Sequence, residues 1–124
     1  MPFVAVTHTA AADPERDRGL ARGFTELMAE VLGKKAALTS VLVSRAEAAV
    51  WTVGGSQPGL AAHVEACITR GTNDEAQKAA FIKASMALLS ARLGTLPEAT
   101  YVVLREIEAT DWGYGGRTQA SRRP

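Results

Sequence analysis

The sequence Trp51-Thr52-Val53-Gly54-Gly55 recurs 61 positions later as Trp112-Gly113-Tyr114-Gly115-Gly116. The same shift aligns the two halves of the chain without a gap and also places Leu32-Gly33 on Leu93-Gly94. A match of both tryptophans and both glycine pairs at one offset indicates a supersecondary unit that is used twice. We therefore predict a single domain with repeat one over residues 2–55, a linker over 56–62, repeat two over 63–116 and a basic tail over 117–124.

Each repeat carries the signals of a strand, a helix, a second strand and a tight turn. In repeat one, residues 3–9 are rich in β-branched residues, which is typical of a strand, and residues 38–44 are predicted as the second strand. Between them, Asp13 followed by Pro14 is typical of a helix start, and Gly33 is typical of a helix end. Repeat two has the same order, with strands over 63–70 and 101–104, a helix start at 72–75 and a helix end at Gly94.

A strand–helix–strand unit with a crossover of this length normally forms two parallel strands, with the helix packed on one face. Two pseudo-symmetric β-α-β units predict a mixed fold of helices and strands, α/β (α+β). In this fold one four-stranded mixed sheet carries both helices on the same face. The other face then has no cover within the chain, although both strand faces consist mainly of apolar or small residues. We therefore expect an oligomer in which the bare sheet faces pack together.

Composition and charge disfavour several classes of function. The net charge of +1 does not produce the strong field that attracts nucleic acid or a membrane surface, so neither is expected as a partner. The chain has no apolar run long enough to span a bilayer and no secretory signal, so we expect a cytoplasmic protein. The single cysteine, Cys67, excludes an internal disulfide and a cysteine metal cluster, and we expect it to be buried. The basic residues from Arg117 to Arg123 are expected to form a frayed, solvated tail.

Pro2 offers a distinct chemical possibility. A small residue after the initiator methionine favours removal of Met1, which would leave Pro2 as a free secondary amine at the start of a strand. An N-terminal amine has a reference pKa of about 7.7–8.0, and apolar surroundings lower it, so such an amine can act as a base near neutral pH. The alternative is that Pro2 only begins an edge strand, where its missing N–H group does no harm.

Pro2, the doubled strand–helix–strand unit and the two Gly-Gly turns together resemble the tautomerase superfamily over residues 2–118. Members of this superfamily use an N-terminal proline that is exposed by removal of methionine, and their fold assembles as a trimer or hexamer. Residues 68–78 and 111–115 resemble malonate semialdehyde decarboxylase, and the strand and turn segments resemble 4-oxalocrotonate tautomerase. The overall layout resembles macrophage migration inhibitory factor. The resemblance implies a homotrimer.

The resemblance also implies roles for six residues. Pro2 matches the catalytic proline, and Lys34 and Arg70 match cations that bind a substrate carboxylate in two of the branches. Ile68 corresponds to an apolar residue of the site wall, and Tyr101 corresponds to a strand tyrosine that reaches a neighbouring subunit's site. Trp112 corresponds to an aromatic residue of the C-terminal turn. Each of the five binding residues also has a structural alternative as a surface charge or a packing residue. Arg70 ranks above Lys34 as the anchor, because an arginine on a rigid strand binds a carboxylate bidentately.

The chain departs from two of the branches at positions that matter for the reaction. Thr72 stands where the decarboxylase branch has a second arginine, and no aspartate lies near residues 34–37. Val103 replaces a polar residue of the inhibitory-factor branch, and residues 59–62 replace its Cys-X-X-Cys pair. These departures disfavour decarboxylation and hydration, which need a positioned acid or a second cation.

We therefore predict a cofactor-independent enol–keto tautomerase, without a metal or an organic cofactor, that acts on a small 2-oxo acid or enol carboxylate. Pro2 would be the general base, and Lys34 or Arg70 would bind the carboxylate. The alternatives are a decarboxylase or hydratase of a small 3-oxo or unsaturated acid on the same fold, and a trimeric binding protein without enzymatic activity.

Overall fold

The computed structural model describes residues 2–47 and 49–123 and follows the predicted order of elements twice. The first half contains β1 (Phe3–His8), α1 (Pro14–Glu30), a 3₁₀ turn (Ala36–Leu38) and β2 (Ser40–Arg45). The second half contains β3 (Ala62–Thr69), α2 (Glu75–Leu93), β4 (Tyr101–Ile107), the short strands β5 (Gly113–Tyr114) and β6 (Arg117–Thr118), and a 3₁₀ turn (Ala120–Arg122). Met1, whose removal the sequence predicts, lies outside the described residues.

The four long strands form one mixed sheet in the order β2-β1-β3-β4. β1 and β2 are parallel, β3 and β4 are parallel, and the two units meet where β1 runs antiparallel to β3. The register pairs Phe3 with Ser40 on β2 and with Cys67 on β3. The predicted fold class, with two strand–helix–strand units in one mixed sheet, is confirmed.

Both helices pack on the same face of the sheet. Alternate residues of β1 and β3 point to this face, and Val4, Val64 and Ile68 are fully buried there. The helices contribute the bulky residues of the same core, which are Leu20, Phe24, Met28, Phe81 and Leu89. One apolar core therefore joins the two repeats.

Neither helix in the described part of the chain is both long and apolar enough to cross a membrane.

Local signals begin and end both helices, as predicted. The Asp13 side chain accepts a hydrogen bond from a backbone N–H in the first turn of α1 at 3.1 Å, and Asp74 and Gln77 form a reciprocal capping box at α2. Gly33 and Gly94 follow the helices with φ of +70° and +107°. Residues with a Cβ rarely adopt such angles, so glycine at these positions ends each helix at a defined point.

Each repeat ends in a tight turn at its glycine pair, which confirms the turn predicted there from the sequence. Gly54 and Gly55 have φ of +60° and +84°, and Gly115 and Gly116 have φ of +60° and +76°. Two successive residues with positive φ are typical of the type I′ turn that joins antiparallel strands. In repeat two the turn joins β5 to β6, and in repeat one it joins a single bridged pair of residues.

The predicted frayed tail is wrong for the described residues 117–123. After the second glycine turn the chain forms β6 and then a 3₁₀ turn. The N–H groups of Gln119 and Ala120 donate to the carbonyls of Trp112 and Ala109 at 2.9 and 2.8 Å. These backbone hydrogen bonds attach the C-terminal segment to the residues that follow β4, so the basic residues belong to a folded part of the protein.

The sheet face opposite the helices has no cover among the described residues of the chain. Leu42 and Tyr101 expose 54% and 62% of their surface on it. The face is more polar than the strand sequences indicated, because the Arg105 guanidinium on β4 donates to the Glu65 carboxylate on β3 at 2.9 Å. Cys67, which was expected to be buried, is only partly buried on this face. The face therefore combines apolar side chains with an ion pair.

Candidate active site

A cavity of about 410 Å³ opens at the end of the sheet where β1 begins and β3 ends. Three segments line it, namely the loop after α1, the end of β3 with the turn that follows, and the C-terminal segment. The lining residues are Gly33, Lys34, Lys35, Leu38, Thr69, Thr72, Tyr114, Gln119, Arg122 and Arg123. Four of these described residues are basic and none is acidic, so the cavity favours an anionic ligand.

Pro2 lies at the same end of the sheet. It directly precedes β1, and its carbonyl accepts a hydrogen bond from the Ser40 N–H at 3.2 Å. The antiparallel pairing of Phe3 with Cys67 places Pro2 next to the end of β3, where Thr69 lines the cavity. The Pro2 side chain is fully buried. The sheet register therefore places a buried proline at the same end of the sheet as the basic cavity, although Pro2 itself is not one of the lining residues.

Lys34 is held on the cavity wall by a short chain of hydrogen bonds. Its Nζ donates to the Thr72 hydroxyl at 2.7 Å, and this hydroxyl donates to the Thr69 carbonyl at 2.6 Å. Burial lowers the pKa of the Lys34 ammonium from its ordinary value, because removal of water disfavours the charged form. The ammonium has further N–H donors, which are available to a carboxylate in the cavity.

The loop that carries Lys34 is attached to the start of α2. Asn73 Nδ2 donates to the Leu32 carbonyl at 2.9 Å and to the Gln77 side-chain oxygen at 3.1 Å. The same Gln77 side chain takes part in the capping box of α2. Contacts between the two repeats therefore determine the position of Lys34, although it lies in a loop.

Arg70 directly follows β3, but its side chain does not line the cavity. Its guanidinium pairs with the carboxylate of Glu108, just after β4, and both side chains are more than half exposed. Successive residues of a strand point to opposite faces, so Thr69 lines the cavity while Arg70 points to the other side. Within one chain the structure brings Lys34, but not Arg70, to the cavity beside Pro2.

The other three predicted site residues lie elsewhere in the chain. Ile68 is fully buried in the core between the sheet and the helices. Tyr101 begins β4 and is exposed on the uncovered face. Trp112 lines a separate cavity of about 320 Å³, and its indole nitrogen is buried without a hydrogen-bond partner among the described residues. Of the three, only Tyr101 is accessible to a neighbouring subunit on the uncovered face.

Sequence reasoning missed the cavity residues that come from the C-terminal segment. Tyr114, two residues after Trp112, is the aromatic residue that lines the cavity. The Arg122 guanidinium stacks on the Tyr114 ring, with Cζ 3.8 Å from the ring centroid, and Nη2 donates to the Tyr114 carbonyl at 2.7 Å. The signal that could have found these residues is the Gly115-Gly116 turn, because it folds the following residues back onto the preceding ones.

Comparisons with known proteins agree with this architecture. The family model described as tautomerase enzyme matches the chain twice, over residues 2–61 and 63–121. A search of curated proteins gives no match. A solved wild-type fused 4-OT, named Q0 and described as a symmetric trimer, is 26% identical, with a TM-score of 0.87 over 98% of this chain and 99% of that chain.

Two further solved structures show similarity of the fold alone. Pt0534, inactivated by 2-oxo-3-pentynoate, is 16% identical, with a TM-score of 0.89 over 98% of this chain and 99% of that chain. A macrophage migration inhibitory factor-like protein from Entamoeba histolytica is 20% identical, with a TM-score of 0.81 over 94% of this chain and 97% of that chain. Since the family model matches both strand–helix–strand units and nearly all of the sequence, the chain belongs to the tautomerase family.

Proposed function

We propose that the protein is a cofactor-independent enol–keto tautomerase that acts on a small 2-oxo acid or its enol carboxylate. The observation that carries this proposal is the basic cavity beside Pro2, at the end of the sheet where β1 begins. The family model described as tautomerase enzyme matches both strand–helix–strand units, which supports an activity of this class.

In the proposed reaction, Pro2 moves a proton between an oxygen and a carbon atom of the substrate. Removal of Met1 frees a secondary amine, and the burial of Pro2 favours the neutral form of this amine near neutral pH. The neutral nitrogen takes the proton from the enol hydroxyl, and the resulting ammonium donates it to the carbon atom. The amine returns to its neutral form at the end of each cycle.

Lys34 binds the substrate carboxylate in this reaction. Its Nζ is positioned by Thr72, and it contributes positive charge to a cavity without an acidic lining residue among those described. As the enol loses its proton, negative charge develops next to the carboxylate, and a fixed ammonium stabilises this charge. Burial removes water from the Lys34 ammonium, and an anion bound in the cavity would stabilise this charged form in place of the water.

The proposed activity can be tested with phenylenolpyruvate, an enol that carries a carboxylate. Protein whose N-terminus has been sequenced as Pro2 should accelerate conversion of this enol to phenylpyruvate, which is followed by loss of the enol absorbance. A protein that binds phenylpyruvate but does not accelerate this conversion would be the non-enzymatic binding protein instead.

We propose that the protein is a homotrimer, as the fused 4-OT named Q0 is, with the uncovered sheet faces packed together. Leu42 lies on this face and Ile82 lies on α2, and both are exposed apolar residues. We expect Leu42→Arg to dissociate the trimer, because a charge in the interface has no partner. Ile82→Arg is the matched control and should leave the trimer intact.

Light scattering at micromolar concentration measures this prediction directly. In the trimer we place Tyr101 against the site of a neighbouring subunit. The Leu42→Arg protein should therefore lose ketonisation activity while its helical circular dichroism is retained. A stable monomer of the unmodified protein at this concentration would contradict the proposed assembly.

The pH dependence of kcat/KM should have two limbs. The rate should rise as Pro2 loses its proton and fall at alkaline pH as Lys34 loses its charge, because only the ammonium binds the carboxylate. Burial lowers the pKa of Lys34, so the fall should begin below the ordinary pKa of a lysine. Lys34→Arg should remove the alkaline limb, since a guanidinium stays charged throughout this range. An unchanged alkaline limb in Lys34→Arg would exclude Lys34 as its source.

The compound that inactivated Pt0534 offers a probe for Pro2 in this protein. 2-Oxo-3-pentynoate combines a carboxylate with an alkyne conjugated to a ketone. We propose that its carboxylate enters the basic cavity and that the neutral Pro2 nitrogen adds to the alkyne, with transfer of the amine proton to the neighbouring carbon. The product would be a covalent adduct on the N-terminal residue.

A further inference from the structure

We propose that Arg122 is a second substrate-binding cation, which binds the carboxylate together with Lys34. This inference rests on the proposed function, because it names a specificity residue of the same site. Arg122 lines the cavity from the C-terminal segment, and Lys34 lines it from the loop after α1. Two cations from different parts of the chain therefore meet at one cavity.

The contacts of Arg122 orient its guanidinium but leave donors unused. Nη2 donates to the Tyr114 carbonyl at 2.7 Å, and Cζ lies 3.8 Å from the centroid of the Tyr114 ring. The Nε atom is buried and has no hydrogen-bond partner among the described residues. A buried donor without an acceptor is costly, and a bound carboxylate would supply the missing acceptor.

The charge around Arg122 differs from that around other arginines of the chain. Five of these pair with carboxylates, namely Arg16, Arg18, Arg45, Arg70 and Arg105. Arg122 has no such pair among residues 2–47 and 49–123, and neither do Arg22, Arg92, Arg117 and Arg123. Of the latter five arginines, only Arg122 and Arg123 line the basic cavity, whose described lining contains no acidic residue. The positive charge of Arg122 is therefore available to an anionic ligand.

The segment that carries Arg122 is part of the folded structure. The backbone hydrogen bonds of Gln119 and Ala120 attach it to the residues after β4, and Ser121 N–H donates to the Thr118 hydroxyl at 3.0 Å. Stacking on Tyr114 restricts the guanidinium further. A planar guanidinium with a defined orientation suits the bidentate recognition of a carboxylate, which a lysine alone does not provide.

Paired substrates separate a carboxylate-binding role from a structural one. We expect Arg122→Ala to raise KM for phenylenolpyruvate by about tenfold or more, the effect of losing a charge-assisted hydrogen bond, and to change KM for the enol of its methyl ester much less. Arg122→Lys should recover part of the loss, because it restores the charge but not the planar fork. An equal loss for acid and ester would mean that Arg122 only stabilises the segment, and it would overturn the inference.

Arg117→Ala is the matched control. The Arg117 guanidinium donates to the Ser121 carbonyl at 2.9 Å, so its loss also weakens the C-terminal segment, but Arg117 lines the separate cavity of Trp112. We expect Arg117→Ala to keep the preference for acid over ester. If Arg117→Ala loses this preference as strongly as Arg122→Ala does, the effect comes from the segment and not from the Arg122 charge.

A binding experiment without turnover distinguishes failure of this inference from failure of the proposed function. Titration of the protein with 3-phenylpropanoate, followed by NMR, measures affinity for a carboxylate that cannot tautomerise. We expect Arg122→Ala to weaken this binding by about tenfold or more while the unfolding temperature stays close to that of the parent protein. Unchanged binding would contradict the role of Arg122. Weakened binding by a protein that lacks ketonisation activity would contradict the proposed tautomerase reaction alone.

Discussion

Pro2→Ala is expected to lower kcat for ketonisation of phenylenolpyruvate by about 10²–10⁴-fold, the usual contribution of a general base. Pro2 is buried beside the cavity, and its ring restricts the direction of the nitrogen. An N-terminal alanine would present a primary amine with more freedom, so residual activity of this size is expected. Circular dichroism should be unchanged, because the neighbouring residues of β1 still pair with β2 and β3.

A chain that keeps Pro2 but blocks its nitrogen separates the amine from the side chain. One extra residue inserted between Met1 and Pro2, chosen so that it is retained, keeps the proline nitrogen in a peptide bond. We expect this protein to fold, to bind phenylpyruvate less tightly and to lack ketonisation activity. Mass spectrometry should show that the active parent protein lacks Met1. Full activity in a protein that retains Met1 would exclude the Pro2 amine as the base.

Lys34→Ala is expected to lower kcat/KM for phenylenolpyruvate by about tenfold or more, because the carboxylate loses a charge-assisted hydrogen bond of roughly 1.5–3 kcal/mol. Arg70→Ala should cost less, which reverses the ranking that sequence reasoning favours. Lys34 lines the cavity, whereas the Arg70 guanidinium pairs with Glu108 on the other side of the strand end. Steady-state kinetics of both variants on one substrate measure this difference.

Lys83→Ala, on the exposed surface of α2, is the control for loss of a positive charge and should be close to the parent protein. The enol of the methyl ester is the control for the carboxylate, and the effect of Lys34→Ala should shrink with it. If Lys34→Ala leaves kcat/KM unchanged while Arg70→Ala lowers it strongly, the strand-end arginine binds the carboxylate, as the resemblance to the decarboxylase branch implies.

The fold could be predicted largely because its signals are local. Asp13, Asp74, Gly33 and Gly94 act on the backbone within one helical turn, so their effect does not depend on the rest of the chain. The offset of 61 positions then transfers each prediction from one repeat to the other. The mixed sheet follows from two units with parallel strands, and its order β2-β1-β3-β4 brings their first strands together.

The site was predictable only in part, because its geometry depends on contacts between distant residues. Sequence alone does not show that Arg70 pairs with Glu108 on the side of the strand end that faces away from the cavity. The position of Arg122 likewise requires the backbone hydrogen bonds that attach residues 119–120 to the residues that follow β4. The basic composition of this segment indicated a solvated tail. Composition does not show that the Arg122 guanidinium stacks on the Tyr114 ring, because that contact depends on the fold.

Covalent labelling with 2-oxo-3-pentynoate tests most directly whether the Pro2 amine is neutral, accessible from the cavity and needed for the reaction. The protein would be incubated with the acid near neutral pH, and peptide mass spectrometry would locate the adduct while ketonisation is measured in the same samples. We predict one adduct per chain on Pro2, loss of activity in proportion to the modified fraction, and slower labelling in Lys34→Ala. Complete modification of Pro2 with full activity retained, or inactivation by an adduct on a different residue with Pro2 unmodified, would contradict the role of Pro2 as the base.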